Sequence, residues 1–332
     1  MSDTRSRTHE DVSGNARALW FPEAGRCEIR TEPLSAPRDH EALVKTLFSG
    51  VSRGTETLVF QGRVPESEWE RMRGPNMAGS FRFPVKYGYA AVGRVMDGPE
   101  DVTGRTVFCL HPHQDRFVAP ADMLSVLPEG LPPQRAVLAA NMETALNIVW
   151  DASIAPGETV AVFGAGTVGT LVAYLSSLIP GTETLLIDPN GERASLAQKL
   201  GIAFSTGDIE GPFDVAVNAS GSDKALANAI EHAGQEGRIV EASWHGQGLS
   251  AIPLGGAFHA RRLRLVSSQV GSLPPSHRPR WTFARRMAKA LQLLADARLD
   301  ALISGDTSFA ELEQAYPAIL SSPDTLCHRI RY

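Results

Sequence analysis

The stretch Thr159 to Asp188, TVAVFGAGTVGTLVAYLSSLIPGTETLLID, constrains this chain more than any other. A β-branched apolar run, Thr159 to Phe163, leads into Gly164-Ala165-Gly166-Thr167-Val168-Gly169. An apolar helical stretch follows, then a second short apolar run that closes on Asp188. Strand, glycine-rich turn, helix, strand and acid stand in the order that a dinucleotide site needs. Gly164 permits the tight turn and Gly166 lets the backbone approach a pyrophosphate. Gly169 lets helix and strand pack closely, and the helix N-terminus with Thr167 and Val168 faces the phosphate charge. Asp188 stands where a carboxylate takes the two ribose hydroxyls and repels a 2′-phosphate, which predicts NAD rather than NADP. Pro189-Asn190-Gly191 brings no basic residue next to it. Ser220 and Ser243 end later apolar runs and are expected to line the same trough.

The chain alternates predicted strands and helices only in its middle. Residues from about 16 to 133 carry short β-branched runs separated by Pro/Gly turns, among them Ala42 to Phe48, Ala90 to Met96 and Thr106 to Leu110. Residues 134–270 alternate strand and helix, as a doubly wound parallel sheet does. A long helix is predicted over Thr282 to Ala297, a short one over Glu311 to Leu320, and a terminal strand over His328 to Tyr332. The expected organisation is a disordered tail over 1–15, a mostly β unit over 16–133, a Rossmann unit over 134–270, and a segment from 271 to 332 returning to the first unit. At 332 residues two cores are expected.

Composition narrows the class. A net charge of −5 gives no electrostatic footprint for nucleic acid. No apolar run reaches the length of a membrane span, and the polar N-terminus lacks the apolar centre of a secretory signal. Cys27, Cys109 and Cys327 are scattered, which fits a reducing cytoplasm and no disulfide framework.

Order and motifs together resemble the medium-chain dehydrogenase/reductase superfamily, over nearly everything from Ala16 to Tyr332. Ser49-Gly50-Val51-Ser52-Arg53-Gly54-Thr55 matches the segment that holds the first catalytic cysteine of zinc members. Tyr87-Gly88-Tyr89-Ala90-Ala91-Val92-Gly93 matches their GHE…G turn, and Asn141-Met142-Glu143-Thr144-Ala145 the entry to the nucleotide unit. Within the superfamily the SRGTETLVFQGRVP and GY-A-x-VGRV segments look closest to the bacteriochlorophyllide dehydrogenase branch. The resemblance implies a GroES-like catalytic domain, a Rossmann domain, hydride transfer between nicotinamide and an alcohol or carbonyl, and a homodimer. It places Thr144 against the nicotinamide and lets Arg193, five positions after Asp188, reach the ribose.

The departures from the family pattern are informative. Zinc ligand positions here carry Ser52, Tyr89 and about Ala140, and zinc selects thiolate, imidazole or carboxylate. The four-cysteine structural lobe is missing too. No metal is therefore expected, with one competing set, His111, His113 and Glu143, drawn from new positions. The resemblance puts Ser52, Thr55, Glu56, Tyr89, His111 and His113 at or near the cleft. Tyr89 replaces a ligand histidine and is the candidate that polarises a carbonyl, against a plain core tyrosine. His113 is the candidate proton carrier, because imidazole titrates near neutrality. Glu143 is either a buried acid in the site or a helix cap. Trp244 either closes over the nicotinamide or covers a loop. Between Gly62 and Lys86, Arg63, Arg71, Arg73, Arg82 and Lys86 lie among Trp69, Phe81 and Phe83. They form either a lid for an anionic substrate or a surface balanced by Glu66, Glu68 and Glu70, and the second is the expectation. The alternatives to a zinc-free oxidoreductase are a non-catalytic nucleotide-binding redox sensor and an enzyme with an unusual zinc site.

Overall fold

The computed structural model describes residues 14–332. Of the tail expected over 1–15, all but Gly14 and Asn15 lies outside the described residues, and those two open the first strand. Strands β1 (Gly14–Glu23) and β2 (Arg26–Leu34) form an antiparallel hairpin that turns at Gly25, φ +76°. This hairpin had no clear period in the sequence. Strand β3 (Glu41–Ser52) is the hub of the first unit, and helix α1 (Arg53–Phe60) leaves directly from its end. Short strands β4 (Ala78–Gly79) and β5 (Val85–Lys86) join the hairpin's sheet. Strands β6 (Ala91–Asp97), β7 (Thr106–Cys109) and β9 (Ser125–Val126) extend the sheet from β3, and β8 (Arg116–Pro120) pairs with β3 as well.

The chain then enters the nucleotide unit through α2 (Pro133–Ala136) and α3 (Ala139–Ala152). Strands β10 (Thr159–Phe163), β11 (Glu183–Ile187), β12 (Ala203–Ser205), β13 (Phe213–Asn218), β14 (Ala233–Glu241) and β15 (Arg264–Ser267) follow. All pair in parallel, in the order β12-β11-β10-β13-β14-β15. Helices α4 (Thr167–Ser177), α5 (Arg193–Leu200) and α6 (Asp223–His232) provide the crossovers. The strand period of two explains the layering. Val160, Val162, Val215 and Val217 face a core with α3 and α4, whereas Ala161, Phe163 and Ala216 face Leu226, Ala229 and Ile230 of α6. Both faces are buried, so these strands read as continuous apolar runs. The architecture is a GroES-like β unit joined to a doubly wound Rossmann unit.

The last segment divides in two. Helix α7 (Phe283–Leu293) buries Met287, Ala290 and Leu291 in the core of α3 and thus stays with the nucleotide unit. It stops short of the predicted Ala297 because the Asp296 side chain caps a new turn, accepting from the Arg298 N–H at 2.9 Å. Only at β16 (Ile303–Ser308) does the chain return to the first unit, where α8 (Leu312–Ser321) and β17 (Cys327–Arg331) complete it. β17 pairs with β3 over Phe48 to Ser52. Among the described residues no helix is long and apolar enough to cross a membrane.

Candidate active site

The glycine turn after β10 has the geometry its sequence demands. Gly164 takes φ +102°, and a Cβ there would stand 2.8 Å from Ser220 Cα. A Cβ on Gly169 would stand 1.9 Å from the Gly164 carbonyl oxygen. Gly166 differs: no atom lies within 4 Å of its would-be Cβ, so it opens onto free space at the N-terminus of α4. No side chain caps that terminus, where Thr167 and Val168 begin the helix. Asp188 follows β11, and its two carboxylate oxygens accept from the Ala165 N–H at 2.7 Å and the Asn190 N–H at 2.9 Å. Open space, uncapped helix N–H groups and a carboxylate at the second strand's end fit a dinucleotide.

The other trough residues have their own partners. Ser220 donates to Asn218 Oδ1 at 2.6 Å, and Ser243 Oγ accepts from the Gly221 N–H at 2.8 Å, so both hydroxyls order the loops at the strand ends. Thr144 sits in α3 and donates back to the Ala140 carbonyl at 2.9 Å. Arg193 donates to the Pro323 carbonyl at 2.7 Å. Arg53, not singled out in the sequence, lies near Asp188 and Arg193; burial first, then the Arg193 charge, draw its pKa below the usual guanidinium value. Its one sequence signal was its position next to Ser52.

On the β unit's side a cluster of hydroxyls forms where β3 meets α1. Tyr89 is half-buried, and its phenol stands near the hydroxyls of Ser52 and Thr55. Asn141, from the start of α3, donates to Ser52 Oγ at 3.2 Å and so ties the two units together at this point. Burial above all, and then the Glu56 charge, raise the Tyr89 pKa, so the phenol keeps its proton. The cluster is therefore a set of neutral donors, suited to an oxygen that gains negative charge.

His113 lies beneath this cluster rather than in it. It is 0 % exposed, with Nε2 3.0 Å from Glu56 Oε2 and Nδ1 2.8 Å from Ser49 Oγ. Glu56, equally buried, also accepts from the Ser52 N–H at 2.7 Å and the Tyr316 hydroxyl at 2.5 Å. Ser49 Oγ reaches the Tyr332 hydroxyl at 2.9 Å. One tautomer satisfies every group: Nε2–H donates to Glu56, and Nδ1 accepts from Ser49, which accepts from Tyr332. Gly88, at φ +120°, is required there, since a Cβ would stand 2.9 Å from the His113 ring.

No family model matches the chain. A D-guloside 3-dehydrogenase of Escherichia coli K12 is 24% identical over 309 residues, 83% of this chain and 88% of its own length. A 2-desacetyl-2-hydroxyethyl bacteriochlorophyllide A dehydrogenase of Cereibacter sphaeroides is 23% identical over 319 residues, 90% of this chain and 92% of its own. The solved L-idonate 5-dehydrogenase of Escherichia coli superposes with a TM-score of 0.79 at 14% identity, covering 96% of this chain and 99% of its own. Among solved neighbours one holds NADH and another NADP. In sequence and fold the chain is similar to medium-chain dehydrogenases/reductases. It is a nicotinamide-dependent oxidoreductase.

Zinc is the metal that this superfamily brings into question. The donor set does not fit it: Ser52, Tyr89 and Ala140 offer two hydroxyls and a methyl. Nor do the displaced candidates converge. Glu143 is ion-paired with Arg286 at 3.0 Å, inside α3 rather than at a helix cap, and His113 is bound as described. His111 stacks on Phe117 at a centroid distance of 3.8 Å, with Nδ1 3.0 Å from the Pro112 carbonyl. The HxH pair thus parts, one imidazole to Phe117 and the other to Glu56. Among the described residues no three His, Cys, Asp or Glu side chains are grouped to hold a metal.

Burial pushes the His111 pKa down to about 3. The folded state therefore refuses a proton that the unfolded chain takes near pH 6.5. The associated stability is full above that value and is lost as pH falls toward 3, by at most about 1.4 kcal/mol per unit. His111→Phe should flatten the decline in unfolding free energy between pH 6.5 and 5; an unchanged slope would remove His111 from the acid limb.

Arg71, Arg73 and Arg82 of the 62–86 segment serve the segment itself, and Lys86 ties its end to the β unit. Arg71 pairs with Glu68 at 3.2 Å, and Arg82 pairs with Glu66 at 3.0 Å while lying over Trp69. Arg73 donates to the Met77 and Gly79 carbonyls, and Lys86 is buried against Glu32 and Gln114. Trp244 packs on the same apolar cluster as Tyr89, Trp69 and Met72. A Cβ on Gly246 would stand 3.0 Å from the Arg63 carbonyl, so this loop of the nucleotide unit reaches across to the β unit.

Proposed function

We propose that this oxidoreductase moves a hydride between NAD and a secondary alcohol or its ketone without a catalytic zinc. The carrying observation is the Tyr89 phenol, kept protonated near the hydroxyls of Ser52 and Thr55, where Tyr89 and Ser52 match ligand positions of zinc members. Bound NAD supplies or takes the hydride. Tyr89 would donate a hydrogen bond to the substrate oxygen as negative charge develops there, and the hydroxyls of Ser52 and Thr55 would pass in from water the proton that completes the alcohol, or pass it out to water in the oxidation direction. Asn141 holds Ser52 in place. Glu143 and His113 take no proton from substrate in this reading, since each is buried against its own partner.

Gly164, Gly166, Gly169 and the start of α4 would hold the pyrophosphate, with Arg53 at its side, and Asp188 the ribose. Asp188 and an Arg193 tied to Pro323 support NAD over NADP. By their names the two relatives act on a guloside and on a hydroxyethyl group of a bacteriochlorophyllide, so a ring-borne hydroxyl is the substrate class this reading favours, the second being the branch the sequence resembles. Three buried free cysteines support a cytoplasmic location. The edge of β15, where Val266 is 42% exposed, supports a homodimer closed across that edge, to be checked as a native mass twice 35.7 kDa.

The test is hydride exchange from 4-deuterated NADH to a ring ketone by chelator-treated protein of measured metal content. Stereospecific transfer with far less than one zinc per chain is expected. Activity lost with chelation and restored by zinc would replace this mechanism with Lewis-acid oxidation. Cofactor binding without transfer to any carbonyl would leave a nucleotide-binding sensor.

A further inference from the structure

Arg286 is only 2% exposed, yet nothing in the hydride chemistry above uses it. Helix α7 carries it into the seam against α3. Its Nε donates to Glu143 Oε1 at 3.0 Å, Nη1 to Asn147 Oδ1, and Nη2 to the Val270 carbonyl at 2.6 Å. Glu143 and Asn147 stand one helical turn apart on α3, so both face the guanidinium. A second tie lies beside the first. Ser268 Oγ donates to Asp151 Oδ2 at 2.6 Å, and Asn147 Nδ2 donates to the same oxygen at 2.9 Å.

Ser268 and Val270 are the residues by which the chain leaves the carboxyl end of β15. Ligands of an open parallel sheet lie outside those ends. On the other side of the clamp, Glu143 is the neighbour of Thr144. Burying a guanidinium and a carboxylate carries a desolvation penalty that two apolar side chains of similar volume would avoid. Packing α7 on α3 thus does not call for the ion pair. The pair adds a directed hydrogen bond out of the seam, to the peptide of Val270.

We propose that Arg286, oriented by Glu143 and Asn147, is a positioning residue that fixes residues 268–271 against α3 as one wall of the nicotinamide half of the cofactor trough. This rests on the dinucleotide reading of that trough and not on Tyr89. Loss of the clamp leaves the adenosine half, built from Gly164 to Gly169 and Asp188, untouched.

The experiment compares NADH with ADP-ribose, which lacks the nicotinamide. The paired variant Glu143→Leu with Arg286→Met removes both charges together, so no buried ion is stranded. NADH should bind about tenfold more weakly, the equivalent of one lost network hydrogen bond, while the ADP-ribose Kd stays at the wild-type value. Equal Kd values for NADH in variant and wild type, or equal weakening of both ligands, would overturn the clamp. Wild-type protein that binds neither ligand would instead overturn the trough itself. Arg286→Lys is the second variant should the pair fail to fold, because one ammonium keeps Glu143 but cannot also reach Val270. It should give the same split between NADH and ADP-ribose, and no split would be equally decisive against the proposal.

Discussion

Replacing Tyr89 by phenylalanine should lower kcat about a hundredfold or more, with the NADH Kd unchanged. The substitution removes one oxygen and keeps the ring. The packing of Tyr89 edge-on against Tyr87, with centroids 6.1 Å apart, therefore survives, and so should the melting temperature. What is lost is the phenolic donor beside Ser52 and Thr55. Because the donor matters most when charge has built up on the substrate oxygen, the loss belongs in kcat rather than in KM. His113→Gln should behave in the opposite way. Its partner Glu56 would be left buried with poorer pairing, so stability should fall while turnover of the folded fraction stays near wild type. Steady-state kinetics beside thermal unfolding separate the two. Full activity in Tyr89→Phe would end the phenol's role and return attention to the buried histidine.

The contrast between these two residues also marks what was legible in the sequence. Strand ends, the glycine turn and Asp188 were readable because each is fixed by chemistry within about 30 residues of chain, which is the span of a βαβ unit. The surroundings of His113 were not. Its Glu56 lies 57 residues away, and Glu56 in turn meets Tyr316, 260 residues away. Arg286 and Glu143 are 143 residues apart, so nothing local distinguished that arginine from the exposed Arg285 beside it. The hairpin of β1 and β2 escaped notice for a related reason. Its outer strand buries little, so polar residues interrupt the alternation on which a strand reading depends. Between Gly62 and Lys86, by contrast, Arg71 met Glu68 and Arg82 met Glu66, as mixed charge predicts, while Arg73 turned to backbone carbonyls of the same segment.

Two alanine substitutions three residues apart in one turn should fail in different ways, and the difference tests the trough more sharply than either alone. Gly166→Ala adds a methyl group where no atom lies within 4 Å, and Gly166 has an ordinary φ of −75°. The fold has no reason to object, and the melting temperature should hold. The methyl would nevertheless occupy the space into which a pyrophosphate must come close to the backbone, so the NADH Kd should rise about tenfold or more. Gly169→Ala meets the Gly164 carbonyl oxygen at 1.9 Å, a backbone atom that cannot swing aside. Helix α4 and strand β10 would have to separate, at a cost of about 3 kcal/mol and about 10 °C in Tm. Unfolding curves and NADH titration on both variants decide the matter. If Gly166→Ala binds NADH as tightly as the wild type, the space above that glycine is not the phosphate site, and the helix N-terminus would lose its assigned ligand. If instead it binds weakly while its unfolding curve is unchanged, the weakness cannot be ascribed to a damaged fold, because the neighbouring substitution shows how a damaged turn behaves.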